Sequence, residues 1–246
     1  SPGPSGRSPR RAWRAASANS RSISASAVGS SAVGSSCGEP SAAEGTLLCG
    51  KALSYNNYVD LDAALEIVKE FQTPACAIVK HGNPCEVAIA ERLLKAYRRA
   101  RATDPESAFG GIVGFGGEVD EELAAELAST FLECVVAPSF TAAARRALGE
   151  KKNLRLLEVP SLAGWTGRHA AGDAGFEVRS ITGGLLLQDR DTGSVGLGDL
   201  RQVTEARPTI AESRSILFAW AVARHVRSNA IVIAEDGETV GIGAGQ

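Results

Sequence analysis

The stretch PACAIVKHGNPC, residues 74–85, joins a short apolar run to two residues with reactive side chains. The run over residues 74–79 is brief, and its Pro and Gly-Asn-Pro flanks predict a buried strand rather than a helix. Lys80 and His81 follow this strand, and the Gly-Asn-Pro sequence after them predicts a sharp turn. Catalytic groups are often carried on loops held by a rigid scaffold, although a solvated lysine and a structural histidine would give the same pattern.

Composition places the chain among ordinary globular proteins. Its 246 residues are 44% hydrophobic and 22% charged, and its net charge of -2 argues against nucleic acid or an anionic membrane as a partner. No apolar run approaches the length of a membrane span. The scattered cysteines form no CxxC pair, so we expect neither a disulfide framework nor a zinc site, and a reducing, cytoplasmic location. They are Cys37, Cys49, Cys76, Cys85 and Cys134.

The first 44 residues differ from the rest of the chain. They are rich in Ser, Ala, Gly and Arg, and the first acidic residue is Glu39. This composition predicts a low-complexity, disordered segment. Residues 1–40 also fit an organelle transit peptide, and an artefactual end is an equal alternative. Methionine is absent from the whole chain, which leads us to expect a fragment of a longer protein.

From residue 45 onward, helical and strand patterns alternate, which predicts an α/β fold. Asp60 and Asp120 are predicted helix N-caps, and Thr209 with Glu212 forms a capping-box pattern. The second of two strand patterns near the end follows an Asp-Gly pair at 236–237, a strong hairpin signal. The pattern restarts near residue 205, so we predict a first unit over 45–204 and the start of a second over 205–246. The apolar face of the helix after Thr209 is predicted to contain Ile216, Leu217, Trp220 and Ala223.

Other motifs give weaker signals. Asn229 lies between a helix and a strand, where its amide suits either a substrate contact or a turn. His169 and His225 lie in a Gly-rich loop and near a helix end, respectively. The GIGAGQ sequence at 241–246 resembles a nucleotide-binding loop but lacks a complete GxGxxG pattern, so a nucleotide-binding oxidoreductase is a weak alternative. The HxE and PCxxC pattern of zinc deaminases is absent, as are the GxSxG and Walker motifs.

Seven stretches together closely resemble one known family. In order they are GKALSYNN (50–57), IVKHGNPC (78–85), TDPESAFGGIV (103–113), VVAP (135–138), GGLLLQDRD (183–191), SNAIVIA (228–234) and GIGAGQ (241–246). They resemble the transformylase part of the bifunctional AICAR transformylase/IMP cyclohydrolase family of purine biosynthesis. The resemblance runs from about residue 45 to the end of the chain.

This resemblance implies a fold, a reaction and a set of site residues. The fold is expected to be cytidine-deaminase-like without zinc, with a first unit and the truncated start of a second. The reaction is formyl transfer from the cosubstrate 10-formyltetrahydrofolate to the 5-amino group of AICAR, in a homodimer. His81 then matches the catalytic base, Lys80 the residue that stabilises the transition state, and Asn229 a substrate contact that supports proton transfer. Phe109, Gly110 and Glu133 match positions that line the AICAR pocket.

The sequence also departs from the family. Glu86 occupies a position where the family commonly has Gly or another small residue, and a buried unpaired carboxylate there would be costly. The cyclohydrolase domain, the Arg-Tyr segment that binds the AICAR phosphate and the C-terminal half of the transformylase are not found in the chain. We therefore expect this chain alone to be inactive. A non-catalytic fragment or binding module that keeps the fold without turnover is the alternative.

Overall fold

The computed structural model describes residues 14–16, 39–165, 176–191 and 193–245. The strands are β1 (Arg14–Ala16), β2 (Thr46–Cys49), β3 (Ala75–Lys80), β4 (Asn83–Ile89), β5 (Ile112–Phe115), β6 (Cys134–Ala137), β7 (Arg155–Glu158), β8 (Phe176–Ile181), β9 (Gly184–Asp189), β10 (Ile231–Glu235) and β11 (Glu238–Gly243). The α-helices are α1 (Tyr55–Val68), α2 (Leu93–Thr103), α3 (Pro105–Ala108), α4 (Glu121–Ala128), α5 (Ala142–Gly149) and α6 (Ile210–Ala223). The structure is thus α/β, as predicted.

The structure contains an eight-stranded mixed sheet. Its strand order is β10-β11-β4-β3-β5-β6-β7-β2. The pairs β5–β6 and β6–β7 are parallel, and the other neighbours are antiparallel. Helices α4 and α5 provide the connections that parallel neighbours require. The hairpin β10–β11 extends the sheet by pairing with β4.

Two hydrophobic clusters sandwich this sheet, because alternate strand residues point to opposite faces. In β3, Cys76 and Ile78 belong to the cluster under α2, α4 and α5, whereas Ala77 and Val79 belong to the cluster under α1 and α6. All four side chains are fully buried. The apolar run before Lys80 is therefore a central strand covered on both faces, and the predicted buried strand is confirmed.

Several helix and turn predictions are confirmed. Asp120 caps α4 by accepting from the backbone N–H of Leu123, and Thr209 and Glu212 form the expected capping box at α6. Asp236 and Gly237 join β10 to β11, both with positive φ, as a two-residue hairpin loop requires.

Two helix predictions are wrong. Helix α1 starts at Tyr55, before the predicted cap Asp60, because Ser54 and Asn57 form a reciprocal capping box. In α6 the predicted apolar face includes Trp220, which is 54% exposed, whereas the buried residues are Phe218, Ala221 and Val222. Apolar residues surround α6 on most sides, so periodicity alone does not identify the face that packs on the sheet.

By its internal contacts the chain divides into two compact units. One contains Ser1–Val28 with Arg168–Ser194, and the other contains Gly29–Gly167 with Val195–Gln246. In the first, β1, β9 and β8 form an antiparallel sheet in which β8 pairs with β9 from Phe176 opposite Asp189 to Ile181 opposite Gly184. The predicted disorder of residues 1–40 lies mostly outside the described residues. The predicted boundary at residues 204 and 205 stays a prediction.

Candidate active site

The six residues assigned from the resemblance all lie along one edge of the eight-stranded sheet, here called the rim. At the rim β3 ends and β4, β5, β6 and β10 begin. The strand registers show this, because the residues at these strand ends pair with one another. Lys80 at the end of β3 pairs with Asn83 at the start of β4. The other pairs are Val79 with Ile112, Ile112 with Cys134, and Ile231 with Gly243. Each of the six residues lies at the end of one of these strands or within three residues of it. They are Lys80, His81, Phe109, Gly110, Glu133 and Asn229.

His81 occupies the tip of the β3–β4 hairpin. Its φ is 55° and that of Gly82 is 70°, so both central residues of the two-residue loop have the positive φ of a type I′ turn. The predicted Gly-Asn-Pro turn is therefore wrong: the turn is His81-Gly82, and Asn83 and Pro84 already belong to β4. The histidine side chain is exposed at the rim.

Side chains from two other elements anchor this turn. Asp60 Oδ1 in α1 accepts a 2.6 Å hydrogen bond from the backbone N–H of Gly82. Asn83 Oδ1 accepts a 2.8 Å hydrogen bond from the backbone N–H of Arg227. The second bond joins the hairpin to the segment that carries Asn229 two residues later. The fold thus brings the His81 turn and the exposed Asn229 to neighbouring places on the rim.

Lys80 is directed along the rim toward the segment before β5. Its Nζ donates a 3.0 Å hydrogen bond to the carbonyl oxygen of Phe109. An ammonium has three donors, so this bond leaves others for a ligand oxygen. The Phe109 ring is 60% exposed, and its centroid lies 5.2 Å from that of Phe131. Gly110, with φ of 72°, donates its N–H to the carbonyl oxygen of Phe131 at 2.8 Å.

Glu133 lies at the start of β6 and contacts the first turn of α1. Its Oε2 accepts a 3.2 Å hydrogen bond from Asn57 Nδ2. Asn57 is only 5% exposed, and its Oδ1 also accepts from the backbone N–H of Ser54 at 3.0 Å. Asn57 lies in the GKALSYNN stretch, which gives no sign of its contact with Glu133, and Asp60 has the pattern of a helix cap rather than of a turn anchor. The bonds Asn57–Glu133 and Asp60–Gly82 join residues far apart in the sequence, so no local pattern predicts them.

Glu86 lies in β4, where it pairs with Ile78 of β3. It is 0% exposed, and neither carboxyl oxygen has a hydrogen-bond partner in the described part of the chain. Burial, together with the negative charge of Asp104, raises the pKa of Glu86 to about 8, and the positive charge of Lys80 offsets part of this effect. The Glu86 carboxyl is therefore buried and unpaired within the described residues, and it adopts the neutral form more readily than an ordinary glutamate.

The glycines near the end of the chain serve the sheet and the Asn229 segment. Gly241 and Gly243 lie in β11, which pairs antiparallel with both its neighbours. The N–H of Gly245 donates to the carbonyl oxygen of Arg227 at 2.8 Å, and a Cβ at Gly245 would lie 2.1 Å from the Ser228 carbonyl oxygen. These glycines therefore occupy strand and close-packing positions, which does not favour the dinucleotide-loop alternative.

Further features border the site or lie away from it. A cavity of about 300 Å³ lies between residues 127–132 and 151–154, and neither Lys80 nor His81 lines it. His225 Nε2 lies 3.1 Å from Glu70 Oε1, which makes it a link between α6 and the end of α1. His169 is outside the described residues. Within the described ranges, no group of three or more His, Cys, Asp or Glu side chains is placed to hold a metal, and no helix is long and apolar enough to cross a membrane.

Comparison with known proteins gives an independent result. The family model of the AICARFT/IMPCHase bienzyme matches residues 30–246. The chain belongs to this family. It is 54% identical over 212 residues to the bifunctional purine biosynthesis protein PurH of Anaeromyxobacter sp. (strain K), a match that covers 85% of this chain and 40% of the relative. The PurH proteins of Anaeromyxobacter dehalogenans strains 2CP-1 and 2CP-C match at 54% and 53% identity over the same length.

Two further facts describe how this chain matches the AICARFT/IMPCHase family. The match starts at residue 30, somewhat before the resemblance seen in the sequence motifs. The chain spans about 40% of the length of these curated relatives. The family assignment made from seven short motifs is therefore confirmed.

Proposed function

We propose that this chain forms part of the site at which AICAR accepts a formyl group from 10-formyltetrahydrofolate during purine biosynthesis. The observation that carries the proposal is the arrangement of the rim. The proposed site residues come from four separate parts of the sequence and lie along this one edge, and they include an imidazole, a cation and polar groups suited to a substrate. Membership of the AICARFT/IMPCHase family supports the same reaction.

The chemistry requires a weak nucleophile to attack a formyl carbon. The amine of AICAR is conjugated to a carboxamide, so its lone pair is delocalised and attack needs close placement of the two reactants. In our proposal His81 removes the amine proton as the bond forms. Lys80 stabilises the oxygen that becomes negative in the tetrahedral intermediate. Their adjacency in the sequence suits these tasks, because a base and a cation side by side can serve one reacting centre.

The remaining rim residues hold the substrate. Phe109 and Gly110 offer an exposed aromatic ring and a backbone without a side chain, which suits the flat imidazole ring of AICAR. Glu133 and Asn229 offer a carboxylate and an amide for its polar groups. The exposure of both residues supports this role, because neither is committed to the hydrophobic core.

The wider properties of the whole protein are part of the same proposal. We infer a cytidine-deaminase-like fold of two tandem units, a homodimer, a cytoplasmic location and a reaction that needs no zinc. The second enzymatic activity of the family, IMP cyclohydrolase, is proposed for the complete protein outside this chain. These inferences rest on the family, since the chain spans about 40% of its relatives.

The test uses the complete protein with AICAR and 10-formyltetrahydrofolate, followed by release of tetrahydrofolate. His81→Ala and Lys80→Ala should each lower kcat by roughly a hundredfold or more, as expected for a positioned base and an oxyanion donor. Lys95→Ala is the matched control, since Lys95 in α2 forms an exposed ion pair with Glu91, which precedes the helix. Wild-type turnover in either rim variant would refute the assigned roles. Substrate binding without turnover in the wild-type protein would favour the non-catalytic alternative.

A further inference from the structure

Glu86 is a buried ionisable group that the proposed reaction leaves without a role. It lies in β4 with no exposed surface, and both of its carboxyl oxygens lack hydrogen-bond partners among the described residues. Burying a carboxyl group in this way is costly, so its position in the fold needs an explanation. The groups around Glu86 provide one.

The strand register makes Glu86 a diagonal neighbour of Lys80, with a register shift between Ile78 and Val79. Glu86 pairs with Ile78 across the β3–β4 ladder, and Lys80 follows Ile78 by two residues on the same face of the sheet. Diagonal neighbours of this kind lie within reach of long side chains. This face packs against α2, since Ile78 and Tyr97 share one hydrophobic cluster. Lys80 is therefore the cation nearest to Glu86 along the strand, and it stands between Glu86 and the rim.

Two charged groups act on Glu86, namely Asp104 and Lys80. Asp104, at the link between α2 and α3, accepts hydrogen bonds from Ser107, which lower the pKa of Asp104 and keep it ionised. Burial and this neighbouring charge favour a protonated Glu86 at neutral pH, and Lys80 opposes them. The other titratable groups nearby are thiols and a phenol whose pKa values are raised by burial, so they stay neutral: Cys76, Cys85 and Tyr97.

We propose that Glu86 is a positioning residue for Lys80, and that its proton controls where the ammonium group lies. With Glu86 protonated, the ammonium stays on the Phe109 carbonyl oxygen and faces the rim. When Glu86 ionises, its negative charge in the poorly screened interior attracts the flexible lysine side chain inward. The catalytic consequence rests on the proposed function, because Lys80 stabilises the transition state only from the rim position.

A direct test follows the two side chains by NMR in the 246-residue chain. Lysines are converted to ¹³C-dimethyl-lysine, which keeps the positive charge, and the Lys80 signal is assigned with Lys80→Arg. We expect this signal to show a step near pH 8 that disappears in Glu86→Gln. Glu106→Gln is the matched control, since it removes an exposed carboxylate from the neighbouring helix α3, and it should retain the step. Identical Lys80 titrations in wild type and Glu86→Gln would overturn the proposal.

A second measurement needs no substitution at Glu86. The ¹³C carboxyl signal of Glu86 in the wild-type chain should change with the same midpoint as the Lys80 step. A midpoint near the ordinary glutamate value would also overturn the proposal. This result stands even if Glu86→Gln folds poorly.

The catalytic arm uses the complete protein. The alkaline loss of kcat/KM for formyl transfer should begin near pH 8 in the wild type and move to higher pH in Glu86→Gln, with the Glu106→Gln profile unchanged. If the wild-type protein transfers no formyl group, the proposed function fails while the NMR experiment still decides the coupling. If it transfers the group and the Lys80 step is absent, the inference about Glu86 alone fails.

Discussion

Asp60 and Gly82 are joined by a 2.6 Å hydrogen bond from the glycine N–H to the aspartate Oδ1. The bond connects the middle of α1 to the tip of the β3–β4 hairpin. His81, the residue before Gly82, has a φ of 55°, a conformation that non-glycine residues adopt only when their surroundings hold them there. Asp60 therefore fixes the orientation of the backbone from which the proposed catalytic base projects.

Removing the Asp60 carboxylate should loosen this turn. Asp60→Ala is expected to lower the free energy of unfolding by about 1–3 kcal/mol, the usual effect of losing a charged hydrogen-bond partner. Hydrogen exchange of the Gly82 amide should become faster. Asp60→Asn retains an acceptor oxygen and should lose less stability. Equal Gly82 exchange in wild type and Asp60→Ala would show that the bond does not hold the turn.

Glu86 should make stability depend on pH. Its pKa rises from the ordinary 4.5 to about 8 in the folded state, so between these values the folded protein binds more protons than the unfolded chain. Stability is then highest below about pH 4.5 with respect to this group, falls as pH rises toward 8, and changes no further above it. At about 1.4 kcal/mol per pH unit, the loss amounts to a few kcal/mol.

Glu86→Gln removes this titration, and urea unfolding at several pH values measures its effect. The variant should gain stability relative to wild type as pH rises from 5 to 8.5. The difference between the two proteins should then stay constant above that range. Glu106→Gln serves again as the exposed control and should show no such trend. A constant difference between wild type and Glu86→Gln from pH 5 to 8.5 would contradict the raised pKa.

Local sequence patterns were sufficient for much of this fold. The strand before Lys80, the caps at Asp120 and Thr209, and the Asp236-Gly237 hairpin depend on residues close in sequence, and all are confirmed. The sequence does not indicate where β4 begins, because its first two residues, Asn83 and Pro84, are typical turn residues. In the structure, His81 and Gly82 take the positive-φ positions, and Asn83 pairs with Lys80 instead.

The site could be predicted only in part for a related reason. The motifs identify its residues, but they do not predict which side chains form hydrogen bonds with one another. The Asp60–Gly82 bond spans 22 residues, the Asn57–Glu133 bond 76 and the Arg227–Asn83 bond 144. Each depends on strand order and helix placement, which are tertiary properties. The burial of Glu86 is likewise a tertiary property, since Glu86 pairs with Ile78 on the sheet face that packs against α2.

Gly245 provides a test of how the Asn229 segment is held. A Cβ at this position would lie 2.1 Å from the Ser228 carbonyl oxygen, so Gly245→Ala should displace the backbone at Ser228 and Asn229. Overpacking of this kind typically costs about 1–3 kcal/mol. Gly241→Ala is the matched control, because a Cβ there meets nothing within 4 Å. Amide chemical shifts of residues 227–229 should move in Gly245→Ala only, and similar shifts in both variants would refute this packing role.

The Asn57–Glu133 bond provides the last prediction. Asn57 caps α1 through its Oδ1 and donates from Nδ2 to Glu133 Oε2 at 3.2 Å. Asn57→Asp keeps the capping oxygen and adds a negative charge that the helix N-terminus favours, but it turns the donor into a second carboxylate facing Glu133. We therefore expect Asn57→Asp to lower the unfolding free energy at neutral pH by about 1 kcal/mol, a modest value because Glu133 is exposed to solvent.

Glu133→Gln removes the repulsion, so Asn57→Asp should be neutral or stabilising in that background. Urea unfolding of the four proteins in the double-mutant cycle measures the coupling. If Asn57→Asp costs the same in both backgrounds, the two side chains do not interact in solution and Glu133 is held at the rim by β6 alone.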